Sequence, residues 1–276
     1  MAAPEDDPDH ARPGWSGAAR LLVAAAVLVV ALGVVAVVAT LSHPARLGVA
    51  FSGGAPTVTD GHRSGGVGAA EVAAAETLTA ARGDRRSADF ELADGLTSFT
   101  LRAADLGDDL YRVSAPDDAG VTPRPEVTGD RVRLRVQENG RPGPAAVEVV
   151  LTSRVTWRLR LTGGVSEQQL DLGAARLAGI ELAGGASRTG LWLPPLSGGL
   201  TVRMTGGVGE LTVTVPGGPP ARVRVAAGAG AVAVYDDHRT GVAAGQLVSS
   251  PGWDRSRDRL YLDLVAGANT VSVAAG

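Results

Sequence analysis

The chain has no cysteine, no lysine and only 4% aromatic residues. Without cysteine there is no disulfide, no thiolate nucleophile and no cysteine-ligated zinc. Without lysine there is no Schiff-base chemistry and no phosphate-binding P-loop lysine. All 26 basic residues are arginine, a bias we attribute to genomic base composition. Histidine is scarce too: His10, His43 and His62 lie far from His238, so no histidine zinc site is expected. Neither an Asn-x-Ser/Thr sequon nor a Gly-x-Ser-x-Gly elbow occurs. The net charge of −3 gives no reason to expect a nucleic-acid partner.

One long apolar run stands out. Leu21 to Leu41 reads LLVAAAVLVVALGVVAVVATL, without a charge. At ~1.5 Å per residue a helix of this length covers roughly 31 Å, the thickness of a bilayer's hydrocarbon core. The run exceeds the apolar segment of a signal peptide, although Val37-Val38-Ala39 resembles a cleavage site. It also lacks the polar face of a soluble helix. We expect an uncleaved transmembrane helix that makes the lipid bilayer one partner. Arg12 and Arg20 before it nearly balance Arg46 and Arg63 after it, so charge does not choose an orientation. The short N-terminal tail has the form of a signal anchor, with the N-terminus cytoplasmic and the C-terminal domain extracytoplasmic.

Composition divides the chain further. Residues 1–20 read as a disordered tail, 21–41 as the transmembrane helix, 42–84 as a linker and 85–276 as a β-domain. Within the linker, Ala69 to Ala81 fits either a short helix or a first strand. From about Ala88 onward the pattern has period two, as in Val155, Trp157, Leu159 and Leu161, which marks strands with one buried face.

The domain is also repetitive. Five segments place a strand before a small-residue turn: Leu161-Thr-Gly-Gly-Val165, Leu182-Ala-Gly-Gly-Ala186, Met204-Thr-Gly-Gly-Val208, Val225-Ala-Ala-Gly-Ala229 and Leu264-Val-Ala-Gly-Ala268. The first four recur at about 21 residues and the last after nearly two units, so Asp236 to Arg259 reads as divergent or looped out. Two residues before each start stand Leu159, Ile180, Val202, Val223 and Leu262. One residue before stand the charged Arg160, Glu181, Arg203, Arg224 and Asp263. Glycine at such turns serves either positive φ or close backbone approach. A unit this short cannot bury its own apolar face, but stacked units can. We expect an all-β, repetitive β-solenoid-like or stacked-sheet domain, with an antiparallel β-sandwich as the alternative.

The stretch from Trp157 to Val234, with IELAGGAS at Ile180 to Ser187, GGVGELTVTVP at Gly206 to Pro216 and RVRVAAGAG at Arg222 to Gly230, resembles the bacterial toastrack domain. That family covers adhesin-like and LiaF-like C-terminal β-domains of envelope proteins. The resemblance implies a repetitive, non-enzymatic β-domain, often carried on membrane proteins linked to envelope-stress sensing.

The residues single out no catalytic, cofactor-binding or metal site. Asp236-Asp237-His238-Arg239 is the densest polar cluster, and it reads as an exposed loop where the repeat breaks. Asp105, Asp108 and Asp109 lack the spacing and glycine of a calcium loop. Arg131, Arg133 and Arg135 share one strand face, as do Arg154, Arg158 and Arg160. Such faces could meet an anionic polymer, but alternating charges on neighbouring strands favour solvated pairs. Trp192 and Trp253 read as exposed contacts or as space-fillers.

The sequence therefore points to a single-pass, membrane-anchored, extracytoplasmic module for interaction or scaffolding, not an enzyme. An envelope protein or an anionic wall polymer is the expected partner. The alternative is a regulatory protein signalling envelope stress through a membrane partner. A polysaccharide-active enzyme is disfavoured, because no column of acidic residues lines one groove.

Overall fold

A computed structural model describes residues 77–276. The tail, the apolar run Leu21 to Leu41 and all but the end of the linker lie outside the described residues. The described part contains nineteen strands and no helix. The first seven are β1 (Leu78–Ala81), β2 (Ser87–Leu92), β3 (Leu96–Ala104), β4 (Asp109–Ser114), β5 (Val121–Thr128), β6 (Arg131–Glu138) and β7 (Ala146–Thr152). Six follow at the most regular spacing: β8 (Thr156–Leu161), β9 (Val165–Asp171), β10 (Arg176–Leu182), β11 (Ala186–Trp192), β12 (Gly199–Met204) and β13 (Val208–Val215). The last six are β14 (Ala221–Val225), β15 (Ala229–Val234), β16 (Asp237–Val242), β17 (Gln246–Ser249), β18 (Arg259–Leu264) and β19 (Ala268–Ala275). Of the two readings of Ala69 to Ala81, the strand holds for Leu78–Ala81, which pairs antiparallel with β4.

The strands form two mixed sheets. The first has ten, in the order β1-β4-β7-β3-β9-β11-β13-β19-β15-β16. The second has nine, in the order β17-β14-β18-β12-β10-β8-β2-β6-β5. Seven coils, each one strand from either sheet, stack in parallel: β2–β3, β6–β7, β8–β9, β10–β11, β12–β13, β14–β15 and β18–β19. Antiparallel pairing is confined to the ends, at β1, β4 and β5 on one side and β16 and β17 on the other. The interior is thus solenoid-like, and the antiparallel sandwich does not describe it.

The stacking order departs from the chain order at both ends. Coil β2–β3 lies between β6–β7 and β8–β9. Coil β18–β19 lies between β12–β13 and β14–β15. The segment expected to be a divergent unit instead supplies β16 and β17, which cover the exposed edges of β15 and β14. The chain then turns back into the stack. At the opposite end of the second sheet, Pro123 and Pro125 in β5 withhold backbone donors from the edge.

Register explains the core. The apolar column of the second sheet runs Val132, Phe90, Leu159, Ile180, Val202, Leu262 and Val223. Leu101, Leu170, Leu191, Val213, Val273 and Val234 align in the first sheet. These side chains join one buried cluster, in which Trp157 is fully enclosed and its Nε1–H donates to the Thr152 carbonyl at 2.8 Å. Each residue so buried contributes roughly 1.5–3 kcal/mol.

The double-glycine turns are close contacts rather than left-handed corners. A Cβ on Gly163, Gly184 or Gly206 would lie 1.8 Å from the Asp94 oxygen, 2.1 Å from the Gly163 oxygen or 2.3 Å from the Gly184 oxygen. None of the three has positive φ. The closeness lets one carbonyl serve two consecutive donors: Leu161 O accepts from Ala183 N–H at 2.7 Å and from Gly184 N–H at 2.9 Å. Where alanine replaces the first glycine, as before Gly267, Met204 O accepts only from Val265 N–H, at 2.8 Å. Gly184→Ala is expected to lower stability by about 1–3 kcal/mol through overpacking. Gly199→Ala, where a Cβ meets nothing within 4 Å, should stay within about 0.5 kcal/mol of the parent protein. Chemical denaturation of the two variants checks both values.

Candidate functional site

Side chains that alternate with the core columns point outward, so each sheet presents a grid set by register. On the second sheet the charged column reads Arg133, Glu91, Arg160, Glu181, Arg203, Asp263, Arg224. The sign alternates at every step. Ion pairs join Arg133 to Glu91 at 3.8 Å, Arg160 to Glu181 at 3.7 Å and Arg203 to Asp263 at 3.5 Å. Arg224 donates to Asp263 at 2.7 Å, and this hydrogen bond raises the Arg224 pKa further. Asp263 is the most enclosed carboxylate of the column, with its side chain 10% exposed between two arginines. The alternation requires the out-of-order insertion of β18. Stacked in chain order, Arg203 and Arg224 would be neighbours.

On the arginine face expected on β6, two of the three residues are paired. Arg133 meets Glu91, and Arg135 meets Asp94 at 3.8 Å. Arg158 and Arg160 do share a face of β8, but Arg154 does not. It sits in the preceding turn and bonds Asp105 at 2.9 Å and the Gly107 carbonyl at 3.3 Å. The reason is local: the turn before Thr156 breaks the strand period between 154 and 158.

In the two acidic clusters Asp105, Asp109 and Asp237 are each paired with an arginine. Asp105 accepts from Gly107 N–H and from Arg154, and these bonds, the backbone one first, draw its pKa below 3.8. Asp109 pairs with Arg112 at 3.2 Å. Asp237 lies on edge strand β16 rather than in a loop, and its Arg239 hydrogen bond holds its pKa below 3.8. Among the described residues no group of three acidic or histidine side chains could hold a metal.

The outer face of the first sheet is different. Trp192, at the end of β11, is 52% exposed, whereas Trp253 is 8% exposed and packs under the guanidinium groups of Arg222 and Arg259. Beside Trp192 a depression of about 620 Å³ spans β9, β11 and β13. Gly190, two residues before Trp192 on the same face, leaves its floor without a side chain. The Gln169 amide lies across that floor, its Oε1 2.3 Å from where a Cβ on Gly190 would be. Asp171 is the register partner of Trp192 on β9, and Thr214 its partner on β13. The Asp171 carboxylate accepts from Gly173 N–H at 3.3 Å. At the far margin Arg188 lies between Glu167 at 2.8 Å and Glu210 at 3.5 Å. Exposed Trp192 was legible as a candidate contact. The depression was not, because it depends on which strands flank β11.

Two measurements test these electrostatics. Asp263→Ala is expected to cost about 1–3 kcal/mol, since it removes charged hydrogen bonds and leaves two arginines facing one another. The deficit should shrink in high salt, which screens the repulsion. In carboxyl NMR titrations Asp237 should titrate below 3.8, and Arg239→Ala should return it toward that value. Because folding lowers this pKa, the stabilisation is present above pH 3.8 and fades as pH falls through the folded value.

Residues 126–214 match the family described as the N-terminal domain of toast_rack, DUF2154. No curated protein matches the chain. Among solved structures it is similar to a "putative cell adhesion protein" from Clostridium sporogenes ATCC 15579, at 14% identity and a TM-score of 0.49, over 73% of this chain and 98% of that one. It is also similar to a "putative adhesin" from Bacteroides fragilis NCTC 9343, at 10% identity and a TM-score of 0.24, over 72% of this chain and 97% of that one. The matched residues 126–214 run from within β5 to within β13 and include the corners at Gly163, Gly184 and Gly206.

Proposed function

We propose that the chain is a membrane-tethered, extracytoplasmic β-domain that acts as a non-enzymatic interaction or scaffolding module at the bacterial cell envelope. The observation that carries the reading is the state of its outward polar groups. On the second sheet they form a register-aligned column of alternating charges that pair with their neighbours. The carboxyls of Asp105 and Asp237 are drawn down rather than raised. A general acid near neutral pH needs the opposite shift. Such rigid, evenly spaced faces suit contact with an extended surface. The family supports a β-module, and the uncharged run Leu21 to Leu41 supports a tether.

Topology mapping of the full chain tests the reading. A periplasm-type reporter fused after Gly276 should be active and one fused at the N-terminus inactive, with the protein staying in the membrane pellet after an alkaline carbonate wash. A C-terminus on the cytoplasmic side would overturn the proposed location. Release into the wash would overturn the tether.

A further inference from the structure

We infer that the depression beside Trp192 on the outer face of the first sheet binds an uncharged polysaccharide segment. This deepens the interaction-module reading and rests on it for biological context.

The first observation is the exposed indole. A tryptophan half open to water beside a hollow loses little on being covered and gains apolar contact area. The second is what surrounds it. Along one step of the sheet stand Asp171, Trp192 and Thr214; along the next stand Gln169, Gly190 and Thr212. These groups supply a carboxylate acceptor, an amide with donors and acceptor, and two hydroxyls on a flat grid. The Gln169 amide occupies the space that a side chain at Gly190 would take, so the floor beside the indole is a hydrogen-bonding amide. A pyranose ring presents a C–H face and a rim of hydroxyls. Its C–H face fits the indole, and its hydroxyls fit the rim groups in the same plane.

Charge selects among ligands. Arg188 is shared between Glu167 and Glu210, and Asp171 forms no ion pair within 4.0 Å among the described residues. Arg102 stands beside Asp171 on β3, so Asp171, Glu167 and Glu210 against Arg102 and Arg188 leave this face with one net negative charge, which gives no attraction for an anionic polymer there. The charge ladder of the second sheet lacks any exposed aromatic residue within its column and is closed on itself. Asp171 is already oriented by Gly173 N–H, so its acceptor geometry costs little to organise on binding.

The test uses the full chain in detergent micelles with cellohexaose and chitohexaose as neutral probes and oligogalacturonate as an anionic one. Affinities are read by titration calorimetry, and in a Trp15→Phe background, with Trp157 and Trp253 buried, a saturable fluorescence change in the parent protein reports Trp192. At least one neutral hexaose should bind with submillimolar affinity. Trp192→Ala should weaken it at least tenfold and Asp171→Asn several-fold, while Leu247→Ala, an exposed apolar residue on the other sheet, should leave it unchanged. Oligogalacturonate should bind at least tenfold more weakly. Failure of both neutral probes to bind would overturn the inference, as would binding that survives Trp192→Ala or a preference for the anion. A change from oligomer to monomer in Trp192→Ala would likewise overturn it, by assigning the indole to self-association. Loss of glycan binding with a correct topology result sinks this inference alone. A cytoplasmic domain that still binds sinks the envelope location alone.

Discussion

The stack rests on how closely one coil can approach the next at its corners. At Gly163, Gly184 and Gly206 the backbone passes so near the preceding turn that a single methyl group would collide with a carbonyl. That approach brings two consecutive N–H groups onto one carbonyl and keeps the adjoining strands in register. Register then aligns the apolar columns, and those columns supply the core. The corner glycines thus act through packing geometry. Left-handed backbone freedom is not what these positions use.

Once register is set, the outer surface follows. The column from Arg133 to Arg224 alternates in sign because the last coil is inserted before the one that precedes it in the chain. Individual exposed pairs of this kind contribute ~0.2–1 kcal/mol. Their larger role is in specifying order. Asp263 separates Arg203 from Arg224, and any stack that omitted β18 from that place would set like charges side by side. The end strands complete the arrangement, since β16 and β17 occupy the edges to which another coil would otherwise add.

The two faces consequently offer different chemistry. One is a closed ladder of paired charges. The other carries hydroxyls, charged groups and one exposed indole around a hollow where the Gln169 amide overlies Gly190. A repetitive scaffold can vary one such face freely, because outward positions leave the core columns untouched.

Much of this was legible residue by residue. Alternation exposed the strands from Val155 to Val215, and the repeat exposed the coils and the aligned columns that begin at Leu159 and Arg160. Period and spacing are local properties of the chain, so the sequence by itself determined the all-β class, the coil length and which face of each strand is buried. It left Arg154 on the wrong face, because a turn resets the period there. It read Asp236 to Arg259 as a divergent or looped-out unit and did not show that the segment caps the two sheet edges, because a cap and a looped-out repeat have the same spacing. The order in which coils stack was decided only by tertiary structure. Parallel neighbours are joined across long sequence separations, and which pairing wins depends on the sum of core fit, corner contact and charge alternation over the whole stack.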